Sequence, residues 1–271
     1  MKVCVRVDLN PRHSQAGRVN ARETFLRRFH ALHAGATARA FARTGSYQRL
    51  ADRVLPAYRI LDLACGSEPL GAAFGLDLSL DELMATRSAR VVQGRAQQLP
   101  YRNEAFDASI CHLGFMLFDE IDDVVAELFR VLQPGAPFVA VLGGGPTGSG
   151  GDDAFHRFLE VARDALEPVV LGDPRAKSEA GWRSLFAGWD GVTFEREEID
   201  LSGTFDEVWQ FLGTSYQLTP EAAAEIQATL RKEYVDSRVD CRVVTFVATA
   251  RRPMKMPRRR STTRVPTTRP G

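Results

Sequence analysis

Asp62, Cys65 and Gly66 stand at the end of one apolar run, residues 60–64, and Asp77 closes a second short apolar segment. The first run has a single polar interruption, Asp62, which suits a parallel strand covered on both faces. Cys65-Gly66-Ser67 then breaks the strand with a residue that tolerates positive φ. In open α/β sheets a ligand sits outside the carboxyl ends of the strands, where such a turn lies. Asp77 ends the next strand at the same edge, placed to accept hydrogen bonds from a ribose diol. His112 follows a third apolar run, residues 106–111, so strand logic brings it to that edge too. With an ordinary pKa of about 6.5, an imidazole there suits proton transfer near neutrality. The plainer alternative is a histidine that hydrogen-bonds a ligand carboxylate or a loop carbonyl. Glu68 adds a carboxylate just past the glycine turn, and with Asp77 and His112 it could hold a cationic amine and serve as a base.

The elements that must position these groups follow from periodicity. Residues 20–43 read as helix, with Phe25, Phe29, Leu32, Ala36 and Ala40 on one face. Asn20 and Glu23 have the spacing of a capping box, and Gly35 divides the segment. Ser46 can cap a further helix reaching Leu55. Ser79 opens a helix with acids in its first turn, and residues 89–93 are a third strand. Residues 119–132 form an amphipathic helix burying Ile121, Val124, Val125, Leu128 and Leu132, its first-turn acids serving as cap and solvated face. Gln133-Pro134-Gly135 stops it before a strand at 137–142. The glycine-rich residues 143–151 lack the Gly-Lys-Ser/Thr ending of a phosphate loop and read as a hinge. Beyond them come a helix capped by Asp152, helices over 179–186, 205–212 and 220–234, and strands over 192–201 and 241–250.

Four segments in order, residues 59–70, 91–101, 106–112 and 127–135, resemble the class I S-adenosylmethionine-dependent methyltransferases, whose first motif is matched by Leu61-Asp62-Leu63-Ala64-Cys65-Gly66. The resemblance implies a Rossmann-like α/β fold, a seven-stranded methyltransferase sheet with helical lid insertions. It also implies S-adenosylmethionine as cofactor and no metal. Asp62, Cys65 and Gly66 would hold the methionine end, Asp77 and Leu78 the ribose, and Ala96 and Gln97 the adenine, with Tyr47 an aromatic neighbour of the cofactor. An N-terminal helix carrying His33 would fold over the cleft, and Trp209 and Tyr216 would be lid walls toward the substrate, although aromatics at helical spacing also serve as core. The pattern is departed from in three places. Glu68 occupies the place of the family's second glycine. Arg95 stands where an acid often meets adenine. The crossover between the first two strands is ten residues, 65–74, at the lower bound of about 10–12, so its helix is a remnant or absent; Pro69 and Gly71 argue the same way.

Composition bounds the rest. The chain has 271 residues, 44% of them hydrophobic, enough for one large domain or a domain with a lid. Four regions are expected: an N-terminal helical cap over 1–58, the Rossmann-like core over 59–145, lid helices and closing strands over 146–250, and a basic tail over 251–271. That tail holds eight Lys/Arg and no acid, leaving 27 basic against 34 acidic residues elsewhere. An acidic body argues against a nucleic-acid substrate. No segment has the apolar length of a membrane span or a secretory signal, and the four scattered cysteines suit reduced thiols in a cytoplasm. The expected partner is a small molecule, with a protein partner or a homodimer left open.

Three functions stand side by side. The first is methyl transfer to a small molecule of secondary metabolism, His112 taking the acceptor's proton. The second keeps the fold, loses the cofactor and closes a ring within one substrate, using Glu68, Asp77 and His112. The third is a silent partner subunit tethered by the basic tail.

Overall fold

A computed structural model describes residues 20–147, 153–166, 169–234 and 238–254. Residues 1–19, the end of the glycine-rich segment and the tail beyond 254 lie outside the described residues.

One seven-stranded sheet carries the molecule. Its strands are β1 (Ile60–Leu63), β2 (Phe74–Asp77), β3 (Val91–Gln93), β4 (Ala108–His112), β5 (Pro137–Pro146), β6 (Asp190–Asp200) and β7 (Arg242–Arg251). Their order is β3-β2-β1-β4-β5-β7-β6, the first five parallel and β7 antiparallel to both neighbours. The order reverses between β1 and β4, so the carboxyl ends of those two strands open the crevice in which such sheets bind ligands. The turns after Leu63 and His112 flank that crevice.

Both faces of the parallel strands are covered, which explains their apolar runs. On one face α3 (Ser46–Val54) lays Leu50 and Val54 against Ala108, Ile110, Val139 and Val141. On the other, α5 (Ile121–Val131) buries Ile121, Val124, Leu128 and Val131 with Leu61, Leu63 and Phe138. Trp182 of α7 (Glu179–Leu185) is packed into that same cluster. A separate cluster joins α6 (Ala154–Ala162), α8 (Phe205–Leu212) and α9 (Pro220–Glu233) over the ends of β6 and β7. These three helices form the lid.

The β1–β2 connection contains no helix. Residues 64–73 run in turns, and Asp62 Oδ2 accepts the Leu70 amide at 2.8 Å, holding the short loop from beneath. Several local expectations are corrected. Ser46 begins α3 but does not cap it; Gly45 does, with φ +64°, and the Ser46 hydroxyl goes to His112. The cap of α6 is Asp153, which accepts from Phe155 N. Residues 143–146 are strand, not hinge. A Cβ on Gly144 would stand 2.7 Å from Phe246 and 2.9 Å from Val244, so glycine there lets β7 side chains cross a continuing β5. The acids before α5 are not free caps: Asp119 pairs with Arg22 and Glu120 with Arg95.

Candidate functional site

Asp77 anchors the site. Its Oδ2 accepts Gly66 N at 2.9 Å and its Oδ1 accepts Ser79 N at 2.8 Å. One carboxylate thereby fixes the turn after β1 against the start of α4 (Leu80–Ala85). Gly66 adopts φ +57°, and that turn buries Ser67 while leaving Glu68 exposed. A Cβ at Gly66 would meet only Glu82 Oε2, 3.7 Å away, so the turn is open on the cavity side.

The cavity itself, about 370 Å3, lies along the carboxyl edge of the sheet. That volume falls within the roughly 300–1,000 Å3 of small-molecule sites. Its polar end is lined by Cys65, Gly66, Asp77, Leu78, Ala96 and Gln97. Its other end is lined by Phe41, Leu113, Phe155, Phe158, Leu159 and Phe211. An aromatic ladder connects the two: Tyr47 stacks on His112 with centroids 4.3 Å apart, His112 meets Phe41 at 5.3 Å, Phe41 meets Phe211 at 5.9 Å, and Phe211 meets Phe155 at 5.3 Å.

The roof is α1 (Ala21–Leu32), followed by α2 (Ala36–Phe41). The capping box of Asn20 and Glu23 forms as read from the sequence. The apolar stripe faces inward only in part: Ala36 and Ala40 are buried, but Leu32 is 74% exposed, and Glu23, Leu26, Arg27 and His30 face the cavity beside Ala40. Polar contacts hold this helix because the surface beneath it is a polar rim. Glu23 bonds Arg95 at 2.7 Å, while Arg22 and Asn20 bond Asp119. His30 Nδ1 lies 2.9 Å from Glu82 Oε1, and His30 Nε2 lies 3.2 Å from the Tyr216 hydroxyl. Glu82 Oε2 also accepts Gly35 N at 2.9 Å. Glu82 and the Tyr216 hydroxyl thus engage the two ring nitrogens of His30 from opposite sides.

Of the residues singled out from the sequence, Tyr47, Cys65, Gly66, Asp77, Leu78, Ala96, Gln97, His112 and Tyr216 come together on the wall. Four do not. Asp62 lies beneath the turn. Glu68 is exposed, so it brings no carboxylate to the cavity. His33 stacks on Phe29 at 4.5 Å outside it. Trp209 packs between Phe158 and Phe205 in the lid's own core. Sequence reasoning missed Arg27, Phe41 and Glu82. For Arg27 a signal existed: Glu23, Arg27 and His30 recur at helical spacing, opposite the apolar stripe that drew attention.

Burial governs the ionisable groups. It pushes His112 down to about 3, with the Arg49 charge adding to the effect. The ring is therefore neutral at physiological pH and a weak base; its Nε2 contacts Ser46 Oγ at 2.8 Å. Burial raises Asp62 to about 7 against the opposing Leu70 amide bond. It also raises Asp77, Tyr47 and Tyr216. A His whose folded pKa is depressed stabilises the fold fully above its unfolded value, and that contribution falls as pH drops from about 6.5 toward 3, by up to about 1.4 kcal/mol per unit. Asp62, raised, acts oppositely: its folded form keeps a proton the unfolded chain releases, so stability falls as pH rises from 3.8 to about 7. The two slopes offset one another in wild type. Urea unfolding should show the stability gap between wild type and His112→Gln narrowing by about 1.4 kcal/mol per unit below about pH 6.5; a pH-independent gap contradicts the neutral buried imidazole.

A sheet of five parallel strands closed by an antiparallel β7, an acid at the end of β2 and a lidded cavity at the switch point define the class I methyltransferase architecture. The comparisons agree. Residues 61–140 match the family described as a methyltransferase domain. Over 168 residues, 55% of this chain and 69% of the relative, the sequence is 27% identical to a demethylmenaquinone methyltransferase of Oceanobacillus iheyensis. The fold resembles the phosphoethanolamine N-methyltransferase 2 of Haemonchus contortus, solved with phosphomonomethylethanolamine and S-adenosylhomocysteine: TM-score 0.53 and 17% identity, over 87% of this chain and 61% of that one. It also resembles the [4+2]-cyclase SpnF, with TM-score 0.50 and 16% identity over 89% of this chain and 100% of that one. Residues 61–140 thus carry a methyltransferase domain, set in a sheet of the class I methyltransferase fold. Among the described residues no helix is long and apolar enough to cross a membrane, and no group of His, Cys, Asp and Glu could hold a metal ion.

Proposed function

We propose that this chain transfers a methyl group from S-adenosylmethionine to a small, largely apolar acceptor of the natural-product type. The observation that carries this reading is the two-ended cavity: acceptors for a nucleoside at one end, an aromatic lobe at the other. The residues present fit the cofactor. Asp77 spends two lone pairs on backbone amides and keeps others for the ribose hydroxyls. Gln97 donates its amide nitrogen to Asp119 O at 2.8 Å, which leaves its oxygen to accept from an exocyclic amine. Arg95, turned to Glu23 and Glu120, does not compete for the base. Asp62, off the cavity wall, steadies the turn from beneath through the Leu70 amide.

When bound, the cofactor supplies an electrophilic methyl on a sulfonium. The protein's part is positioning and exclusion of water. The Tyr47–His112–Phe41 ladder forms a dry wall, and α6 and α8 close the acceptor lobe. His112 orients more than it titrates, being neutral and held by Ser46. The acceptor proton is therefore released by a group that is acidic in its own right, or leaves through the Tyr216–His30–Glu82 chain at the roof. The Oceanobacillus relative's acceptor, demethylmenaquinone by its name, has the apolar character that this lobe suits. The ring-closing alternative loses the carboxylate it required, since Glu68 faces solvent.

The test is calorimetric titration of the full chain with S-adenosylhomocysteine, followed by transfer of labelled methyl to a panel of hydrophobic phenols and acids. Micromolar binding and label in at least one acceptor are expected. No heat at millimolar ligand would sink the reading.

A further inference from the structure

Every charged group on the cavity wall but one is answered from within the described protein. Glu23 meets Arg95, and Arg95 also meets Glu120. Asp119 meets Arg22 and Asn20, and Glu82 meets His30 and the Gly35 amide. Asp77 meets the amides of Gly66 and Ser79. Arg27 is the exception. It lines the cavity from the middle of α1, and its Nε is buried with no hydrogen-bond partner. Among the described residues no carboxylate pairs with it.

A guanidinium stays charged and carries five donors in a rigid fork that matches a carboxylate. Leaving such a donor buried and unmade is costly. The nucleoside half of a cofactor carries no anion, and its needs are met by acceptors, Asp77 and Gln97. Across the same cavity, Phe41, Phe155, Phe158, Leu159 and Leu166 offer apolar surface and no charge. One unanswered cation and an apolar lobe on the wall of one cavity describe the complement of an amphipathic acid.

We infer that the acceptor is a carboxylic acid with a flat apolar body, its carboxylate held by Arg27 and its body seated among the lid aromatics. The inference rests on the methyl-transfer reading only in naming this ligand the acceptor; the anion site stands on Arg27 and the cavity alone. Holding the acid at a guanidinium fixes its distance from the polar end, so Arg27 selects among acceptors by charge. The cofactor's own carboxylate is the other source of the same chemistry, and the experiment separates the two.

The probes are 2-naphthoate and its neutral isostere 2-naphthamide, titrated by calorimetry into the full chain with and without saturating S-adenosylhomocysteine. Wild type should bind the acid at least tenfold more tightly than the amide, with the preference shrinking in high salt. Arg27→Met should erase that preference, leaving amide and S-adenosylhomocysteine affinities within about twofold and the melting temperature unchanged, while Arg27→Lys should keep part of it. Equal binding of acid and amide to wild type overturns the inference, as does an unaltered acid affinity in Arg27→Met. Weakened S-adenosylhomocysteine binding in Arg27→Met overturns it as well, assigning the guanidinium to the cofactor. If wild type binds no S-adenosylhomocysteine, the methyl-transfer reading fails, and the ligand-free titrations still decide whether Arg27 holds an acid.

Discussion

Asp77→Ala is expected to weaken S-adenosylhomocysteine binding by about 100-fold or more, some 2.8 kcal/mol. Two losses combine. The ribose loses its carboxylate acceptor, and the amides of Gly66 and Ser79 lose theirs. A buried donor left without a partner costs about 1–3 kcal/mol, so the turn after β1 loosens just where the ligand must rest. Asp77→Asn keeps one carbonyl oxygen and should be affected less. Calorimetry on both variants checks the order; an Asp77→Ala protein that binds like wild type would remove this carboxylate from the cofactor site.

The largest loss of stability is expected from Trp182→Ala. Trp182 is fully buried, its ring 4.4 Å from Phe186 and 5.2 Å from Phe115 by centroid, and its Nε1 donates to Thr249 O at 3.2 Å. Removing a core tryptophan costs about 3–5 kcal/mol through lost burial and the remaining cavity. At roughly 2–4 °C per kcal/mol for a domain somewhat smaller than this one, the melting temperature falls by about 6–20 °C. A scanning calorimeter measures this directly, and a loss under about 1 kcal/mol would mean α7 is not part of the core. There is a functional corollary. Phe115 sits between Gly114 and Met116, both on the cavity wall, so α7 supports the acceptor side of the site from beneath the sheet.

Much of this architecture was legible in the residues. The apolar runs that contain Asp62 and lead to Asp77 and His112 are two-face-covered parallel strands, and such strands announce themselves without tertiary information. The missing crossover helix followed from counting residues between Asp62 and Asp77, because too few remain to wind one. Glycine and proline punctuation located most helix ends. The roof was harder. A hydrophobic stripe on residues 20–43 points to an apolar contact surface, but α1 covers a polar rim and is held by pairs with Glu82, Arg95 and Asp119, which lie 52, 72 and 97 positions from their partners. Separations of that kind leave no local periodicity to read.

The sequence alone determined the sheet, the position of the crevice and the carboxylate at the end of β2 that lines it, because strand burial and turn chemistry are local properties of short segments. Only the tertiary structure decided what each side chain does there. It put Glu68 into solvent, buried His112 until it became a weak base, turned Arg95 toward Glu23, and left the Arg27 Nε buried without a partner on the cavity wall. Those outcomes depend on dielectric environment and on charges brought together from distant segments, and electrostatics of that kind exists only once the chain has folded.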